Sequence, residues 1–237
     1  FPILIKLIDA KDNLSVQVHP DNDYAMRVEG EYGKTEMWYI VDCEEGSQLI
    51  YGFDKEISRE EFADRIKNNT LLEVTNNVPV HKGDVFFIES GTLHAIGKGI
   101  LIAEIQQNSN TTYRVYDYGR VGKDGKPREL HVEKAIDVTE LCPPKYDTKP
   151  QGKPVKIDGG EETLLRTCEY FDVHKIKVDG TVTLDADEKS FHSILVLDGN
   201  GKVGELDAKK GESFFIPAGY GKYELTGNLE VILSDIV

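Results

Sequence analysis

The chain is organised around residues 83–94, which read Gly-Asp-Val-Phe-Phe-Ile-Glu-Ser-Gly-Thr-Leu-His. An aromatic and β-branched run from Val85 to Ile88 lies between two glycines, a pattern typical of a strand followed by a turn. The turn ends at His94, and a histidine held just after such a turn is a candidate metal ligand. The stretch therefore predicts a strand and turn that present one ligand.

Two upstream segments supply further candidates, Val-Gln-Val-His-Pro at 16–20 and Lys-Thr-Glu-Met-Trp-Tyr-Ile-Val at 34–41. Successive side chains of a strand point to opposite faces, so the Gln and His of the first segment project the same way. The Lys and Glu of the second segment also share a face. Two such strands would offer three ligands to one point. The candidate metal ligands are Gln17, His19, Glu36 and His94.

Composition describes an ordinary globular protein and excludes some partners. The 237 residues are 39% hydrophobic, enough for the cores of one large or two smaller β-domains. A formal net charge of −14 argues against nonspecific binding to nucleic acid or to an anionic membrane. We therefore expect a small-molecule substrate and no nucleic-acid or membrane partner, with the chain a monomer or a weak homo-oligomer.

Cysteine usage and hydropathy indicate the compartment. Cys43, Cys142 and Cys168 are an odd, scattered set without metal-binding spacing, so we expect a reducing, cytoplasmic setting. No apolar run approaches the roughly 18 residues of a membrane span. The chain opens at Phe1, without methionine and directly into a strand-like run, which suggests that the natural chain begins earlier.

Most of the chain predicts strands, with one clear helix. Ser58 and Glu61 form a capping box for a helix that runs to about Lys67. Residues 130–138 fit a short helix or a strand, and 122–125 predict a turn.

The last third of the chain weakly repeats the first. Residues 211–222 match 83–94 at both glycines and across the Phe-Phe-Ile run, and 194–198 match 38–42. Lys222 aligns with His94, so the second copy lacks the final histidine and is expected to be structural. The predicted organisation is a metal-binding module at 1–142 with a helical insertion around 54–78, a linker at 143–160, and a degenerate module at 161–237.

A glycine-framed strand and turn ending in histidine resembles the cupin signature, and cupins are double-sheet jelly rolls. Glu89 stands where proline is usual in that signature, whereas Pro217 keeps it in the second copy. Four ordered motifs, Gln-Val-His-Pro, Lys-Thr-Glu-Met-Trp, Gly-Thr-Leu-His and a later Thr-Tyr-Arg-Val-Tyr, resemble short bacterial type I mannose-6-phosphate isomerases. The fold class predicted by this resemblance is all-β, with two cupin-like jelly-roll modules.

The resemblance implies a metal-dependent isomerase that interconverts mannose 6-phosphate and fructose 6-phosphate through an enediolate. It implies one divalent ion, zinc, held by the four candidate ligands, although Fe, Mn, Co or Ni also suit nitrogen and oxygen donors. It also places Lys34 and Arg114 in the catalytic pocket, with a hexose 6-phosphate as substrate. Asn110 stands where the family is expected to have aspartate.

The residues alone leave alternatives open. Lys34 is also compatible with a solvated lysine at a strand start, and Arg114 with a structural arginine paired with Asp117 or Glu104. If functional, Lys34 donates to a sugar oxygen or acts as a base. Two other functions fit the motifs: a cupin metalloenzyme of different chemistry, such as a dioxygenase, and a non-catalytic module that binds a sugar phosphate.

Overall fold

The computed structural model describes residues 1–122 and 125–236. The chain divides into two compact units, with the boundary between Thr148 and Lys149. This boundary falls inside 143–160, where the sequence predicts a linker. The centre of the turn predicted at 122–125 lies outside the described residues. In the ranges that are described, no helix is long and apolar enough to cross a membrane.

The first unit is built mainly from short strands. In chain order its elements are β1 (Ile3–Ala10), β2 (Val16–Val18), α1 (Asn22–Val28), β3 (Glu36–Cys43), β4 (Gln48–Phe53), α2 (Arg59–Lys67), a 3-10 turn (Leu71–Glu73), β5 (Thr75–Pro79), β6 (Val85–Ile88), β7 (His94–Ala95), β8 (Ile100–Gln107), β9 (Tyr113–Tyr116) and α3 (Val132–Val138).

These strands form two antiparallel sheets, in the orders β1-β8-β3-β6 and β5-β4-β7-β2-β9. Trp38, Phe86 and Ile102 of the first sheet share one buried cluster with Leu49 and Tyr51 of the second. The core of the unit therefore lies between the inner faces of two sheets. This architecture confirms the all-β prediction.

Helices cover the outer face of the five-stranded sheet. Phe62 of α2 belongs to a buried cluster with Val16 and Phe53 of that sheet. Ser58 caps α2, because its hydroxyl accepts a hydrogen bond of 3.1 Å from the backbone N–H of Glu61. The predicted helix is thus confirmed, and the stretch left open between helix and strand at 130–138 contains α3.

The second unit is a seven-stranded sheet. Its strands are β10 (Val155–Ile157), β11 (Gly160–Thr167), β12 (Asp172–Ala186), β13 (His192–Val203), β14 (Leu206–Lys209), β15 (Ser213–Ile216) and β16 (Gly221–Asp235). Their order is β10-β11-β12-β16-β13-β14, and β15 also pairs with β13. Alternate residues of the long strands, such as Ile176, Val196 and Val231, form its buried core. β10 and the first residue of β11 lie within the stretch predicted as a linker.

The internal repeat appears as the same strand pairing in each unit. The register places Trp38 opposite Phe86 in the first copy and Ile194 opposite Phe214 in the second. The aligned positions of the sequence repeat are therefore equivalent in structure. Lys222, the counterpart of the motif histidine, is exposed, so the second copy presents no histidine there.

Candidate metal centre

The five-stranded sheet places Gln17, His94 and Arg114 side by side. Gln17 of β2 pairs with His94 of β7 on one side and with Arg114 of β9 on the other. Directly opposed residues of antiparallel strands project to the same face of the sheet. Tyr51 of β4 is paired with His94 and belongs to the core between the sheets. The three side chains therefore belong to the inner face.

His19 and Glu36 complete the group from two different directions. His19 directly follows β2, and Glu36 is the first residue of β3 in the other sheet. Glu36 Oε2 is 3.7 Å from His19 Nε2, and Glu36 Oε1 is 3.6 Å from His94 Nε2. One ligand atom from each of these three residues lies within 4.8 Å of the others. Gln17 Nε2 is 3.3 Å from His94 Nε2, and a half-turn of its carboxamide puts Oε1 at that place.

Main-chain carbonyls orient both imidazole rings. The Nδ1 atom of His19 is 3.0 Å from the Thr111 carbonyl, and that of His94 is 2.8 Å from the Thr92 carbonyl. A carbonyl only accepts, so Nδ1 carries the proton in each ring and Nε2 keeps its lone pair. Burial lowers the pKa of His19 well below its usual range and that of His94 to about 4. Both rings are therefore neutral near pH 7, the form that binds metals.

Several buried atoms that could coordinate a metal have no hydrogen-bond partner. These atoms are His19 Nε2 and both carboxylate oxygens of Glu36, and both residues are at most 1% exposed. Lys34 Nζ forms an ion pair of 2.9 Å with Glu36 Oε2, so the atoms left without a hydrogen bond or a charged partner are His19 Nε2 and Glu36 Oε1. Leaving such an atom unpaired costs about 1–3 kcal/mol. Two imidazoles, a carboxylate and a carboxamide fit a divalent metal ion, which would satisfy these atoms together.

A chain of alternating charges lies beside the ligand group. Lys34 Nζ is 4.0 Å from Glu104 Oε1, in addition to its contact with Glu36. Lys6 Nζ is 2.9 Å from the same Glu104 oxygen, and the indole N–H of Trp38 donates to Glu104 Oε2 at 3.1 Å. Two lysines and one further carboxylate, that of Glu104, thus adjoin the candidate metal centre.

Burial and neighbouring charges both shift the pKa values of these charged side chains. Burial opposes the charge of Lys34, but the carboxylates of Glu36 and Glu104 outweigh it and raise the pKa of the lysine. Burial also raises the pKa of Glu104, and the Glu36 carboxylate raises it further. Lys34 is therefore held as an ammonium ion, while Glu104 takes up a proton more readily than an ordinary glutamate.

Sequence reasoning missed Lys6 and Glu104 as members of the site. The register places Lys6 opposite Glu104, and Glu104 opposite Trp38, across three neighbouring strands. The available signal was a single charged residue in each of two otherwise apolar runs, residues 3–8 and 100–105. Charged residues are rarely buried in such runs unless they are paired.

Arg114 lies beside Gln17, but its side chain is held by neutral groups. Its Nε donates to Ser15 Oγ at 3.3 Å, and its Nη1 donates to the Glu129 carbonyl at 3.0 Å. Asp117, considered as a structural partner for Arg114, instead forms ion pairs with Arg120 and Arg128. Arg114 therefore keeps its charge on the inner face without a carboxylate among these contacts.

Asn110, at the position where aspartate was expected, lies at the surface. It lines a cavity of about 320 Å³ together with Glu29, Thr112 and His131. The neighbouring Thr111 carbonyl holds His19, so the asparagine is one residue away from a contact that orients a candidate ligand.

The fold and the site define a class of protein: an all-β protein of the cupin type, with a candidate metal centre between the sheets of its first unit. The comparisons with known proteins extend this assignment. The family model "Mannose-6-phosphate isomerase, cupin domain" matches residues 160–236. Mannose-6-phosphate isomerase ManA of Bacillus subtilis is 42% identical over 100% of this chain and 75% of its own length. Mannose-6-phosphate isomerase of Streptococcus mutans is 40% identical over 99% of this chain and 74% of its own length.

A solved structure gives the same result. The crystal structure of mannose 6-phosphate isomerase from Bacillus subtilis has a TM-score of 0.91 and 38% identity, over 99% of this chain and 75% of that one. The chain therefore belongs to the mannose-6-phosphate isomerase family.

Proposed function

We propose that this protein is a metal-dependent isomerase that interconverts mannose 6-phosphate and fructose 6-phosphate. The observation that carries the proposal is the convergence of three fully buried side chains, His19, Glu36 and His94, in a chain of this family, with His19 Nε2 and Glu36 Oε1 left without a hydrogen bond.

We assign Gln17, His19, Glu36 and His94 as the metal ligands. We propose zinc as the ion, because two imidazoles, one carboxylate and one amide oxygen are donors that zinc accepts in catalytic sites. When bound, the ion supplies a Lewis acid that stabilises negative charge on the sugar oxygens. The hydrogen bonds from Nδ1 to Thr111 and Thr92 support the assignment, because they fix the ring orientation that metal binding requires.

The reaction moves a proton between the two carbons at the carbonyl end of the sugar and develops negative charge on two oxygens. Lys34 is the proposed donor to one of these oxygens, because Glu36 and Glu104 keep it cationic beside the ligand group. Lys6 is a second donor of the same kind.

Glu104 is our candidate for the group that carries the proton. It is the carboxylate of the site that is not needed as a ligand, and its raised pKa brings it closer to the working pH. Trp38 and Lys6 fix the two oxygens of the carboxylate. Such fixed positioning is what general acid–base catalysis requires.

Arg114 is the proposed contact for the phosphate or for the enediolate. A guanidinium offers a planar, bidentate donor geometry that suits both oxyanions. Ser15 and the Glu129 carbonyl hold its Nε and Nη1 on the inner face, next to Gln17.

We further propose a cytoplasmic enzyme that acts on a small sugar phosphate as a monomer or weak homo-oligomer, without a nucleic-acid partner. Three unpaired cysteines support the reducing compartment, and the net charge of −14 opposes nucleic-acid binding.

The decisive test is a coupled assay for fructose 6-phosphate formed from mannose 6-phosphate by zinc-loaded protein. Turnover should disappear after chelator treatment and in His94→Ala. It should persist in His81→Ala, which removes a histidine whose side chain is 78% exposed. A folded, metal-loaded protein without turnover would refute the isomerase.

A further inference from the structure

Gln106 is a fully buried amide next to the proposed site, and the mechanism above gives it no role. It lies in β8 directly opposite Glu36, so its side chain is on the same face as that candidate ligand. Its Oε1 accepts a hydrogen bond of 2.5 Å from Lys6 Nζ. Its Nε2 donates to the carbonyls of Gln107 at 2.6 Å and Ser109 at 3.0 Å.

Only one orientation of this amide is chemically possible. A lysine ammonium only donates and a carbonyl only accepts, so Oε1 must face Lys6 and Nε2 must face the two carbonyls. The Gln106 side chain is fully buried, so leaving its oxygen or its nitrogen without a hydrogen bond would cost free energy. The amide is thereby locked, and it locks the groups on both of its ends.

The Oε1 end of the amide fixes Lys6, a proposed hydrogen-bond donor to the substrate. Lys6 Nζ donates to the side chains of Gln106 and Glu104, and Glu104 is the proposed proton carrier. Without the Gln106 oxygen, the flexible lysine would lose one of the two acceptors that define its position.

The Nε2 end of the amide is connected by hydrogen bonds to the candidate ligand His19. Ser109, whose carbonyl accepts from Gln106, accepts through its Oγ a hydrogen bond of 3.1 Å from the Thr111 N–H. The Thr111 carbonyl in turn holds Nδ1 of His19 at 3.0 Å. The buried amide is therefore connected by three hydrogen bonds, through Ser109 and Thr111, to the ring that offers Nε2 to the metal.

We propose that Gln106 is a positioning residue for both sides of the active site, orienting Lys6 through its oxygen and the His19 ring through its nitrogen. We call these two effects the Lys6 arm and the His19 arm. The Lys6 arm rests on the proposed function, and the His19 arm rests on metal binding alone. Methionine at this position has a similar length and makes none of the three hydrogen bonds. Glutamate has the same shape but places an oxygen against two carbonyls.

The experiment compares Gln106→Met and Gln106→Glu with Ser47→Ala. Ser47→Ala also removes a hydrogen bond of a buried side chain, the one of 3.0 Å to the Lys98 carbonyl. Ser47 follows the C-terminal end of β3, whereas the candidate ligand Glu36 is at its N-terminal end. Cobalt(II) replaces zinc in a titration of chelator-treated protein, which reports affinity and ligand-field absorption without substrate. Steady-state kinetics on mannose 6-phosphate report kcat and KM separately.

Both Gln106 variants should bind cobalt about 10- to 100-fold more weakly, with an altered absorption spectrum, and should lose kcat by a similar factor at nearly unchanged KM. Ser47→Ala should keep the wild-type spectrum, affinity and kcat. In a Lys6→Met background, Gln106→Met should reduce kcat less than in the wild-type background, because only its effect through the His19 ring then remains.

Wild-type cobalt affinity, spectrum and kcat in a folded Gln106→Met protein would overturn the proposal. If that variant does not fold, the isosteric Gln106→Glu decides by the same criteria. Should the wild-type protein bind cobalt without turning over mannose 6-phosphate, the proposed function fails, while the cobalt titration still tests the His19 arm.

Discussion

Metal binding should raise the melting temperature of the first unit by about 8–16 °C. The three buried candidate ligand atoms come from residues 19, 36 and 94 and converge only in the folded unit, where the sheet with β2 and β7 packs against the sheet with β3. An ion that binds only the folded state stabilises it by about 4 kcal/mol when its concentration is 1,000 times the Kd. For a unit of this size, each kcal/mol corresponds to about 2–4 °C in Tm.

The assay is differential scanning calorimetry of chelator-treated protein with increasing concentrations of zinc. The Tm should rise with the logarithm of the metal concentration, because the stabilisation is a linkage effect. In His94→Ala the rise should largely vanish, since the variant loses one of the converging nitrogen donors.

His81→Ala is the matched control. It makes the same chemical change in the same unit, at a histidine whose side chain is 78% exposed and whose contact is Asp84. The full rise should persist in this variant. A Tm that does not depend on metal in the wild type, or a full rise in His94→Ala, would refute the assignment of the buried group as the metal site.

Three further outcomes are expected. Arg114→Lys should lower kcat/KM for mannose 6-phosphate on the order of 100-fold, measured in the coupled assay, because lysine cannot reproduce the bidentate geometry at its position; an unchanged value would remove Arg114 from the site. Lys34→Met should destabilise metal-free protein by about 3 kcal/mol in denaturant unfolding, since it leaves the buried Glu36 without its cation, and should destabilise metal-loaded protein less. Burial lowers the pKa of His94 from 6.5 to about 4, so between these pH values the unfolded state binds more protons than the folded state. Unfolding free energy of metal-free protein should therefore fall by about 2 kcal/mol from pH 7 to pH 4.5, and a His94→Ala protein with an equally steep pH dependence would contradict this account.

Individual strands, a turn and a helix could be predicted from local sequence signals, whereas the cupin-like fold class followed from the family resemblance. The Phe-Phe-Ile run between two glycines predicted a strand and turn, and the capping pair Ser58 and Glu61 predicted a helix, and both elements are present. The sequence repeat also corresponds to a repeated strand pairing, since Trp38 lies opposite Phe86 in the first unit and Ile194 lies opposite Phe214 in the second.

The candidate site was only partly predictable, because its remaining contacts depend on pairing between distant strands. Lys6 and Glu104 are 98 residues apart, and their contact follows from the register of β1 against β8. No local pattern specifies that register. Arg114 was predicted as a pocket residue from the family resemblance, but its hydrogen bonds to Ser15 and the Glu129 carbonyl depend on the tertiary fold.

The balance of charge at the site explains how a chain of net charge −14 can accept a phosphorylated sugar. Most of the acidic residues are solvated, and their field is screened within about 8–10 Å at physiological ionic strength. Within the site, Lys6 and Lys34 offset Glu104 and Glu36, so the four groups contribute no net charge. In the proposed mechanism, a divalent ion and Arg114 would provide the excess positive charge that an anionic substrate requires. It follows that removing the metal should weaken substrate binding as well as turnover, because the same ion serves both.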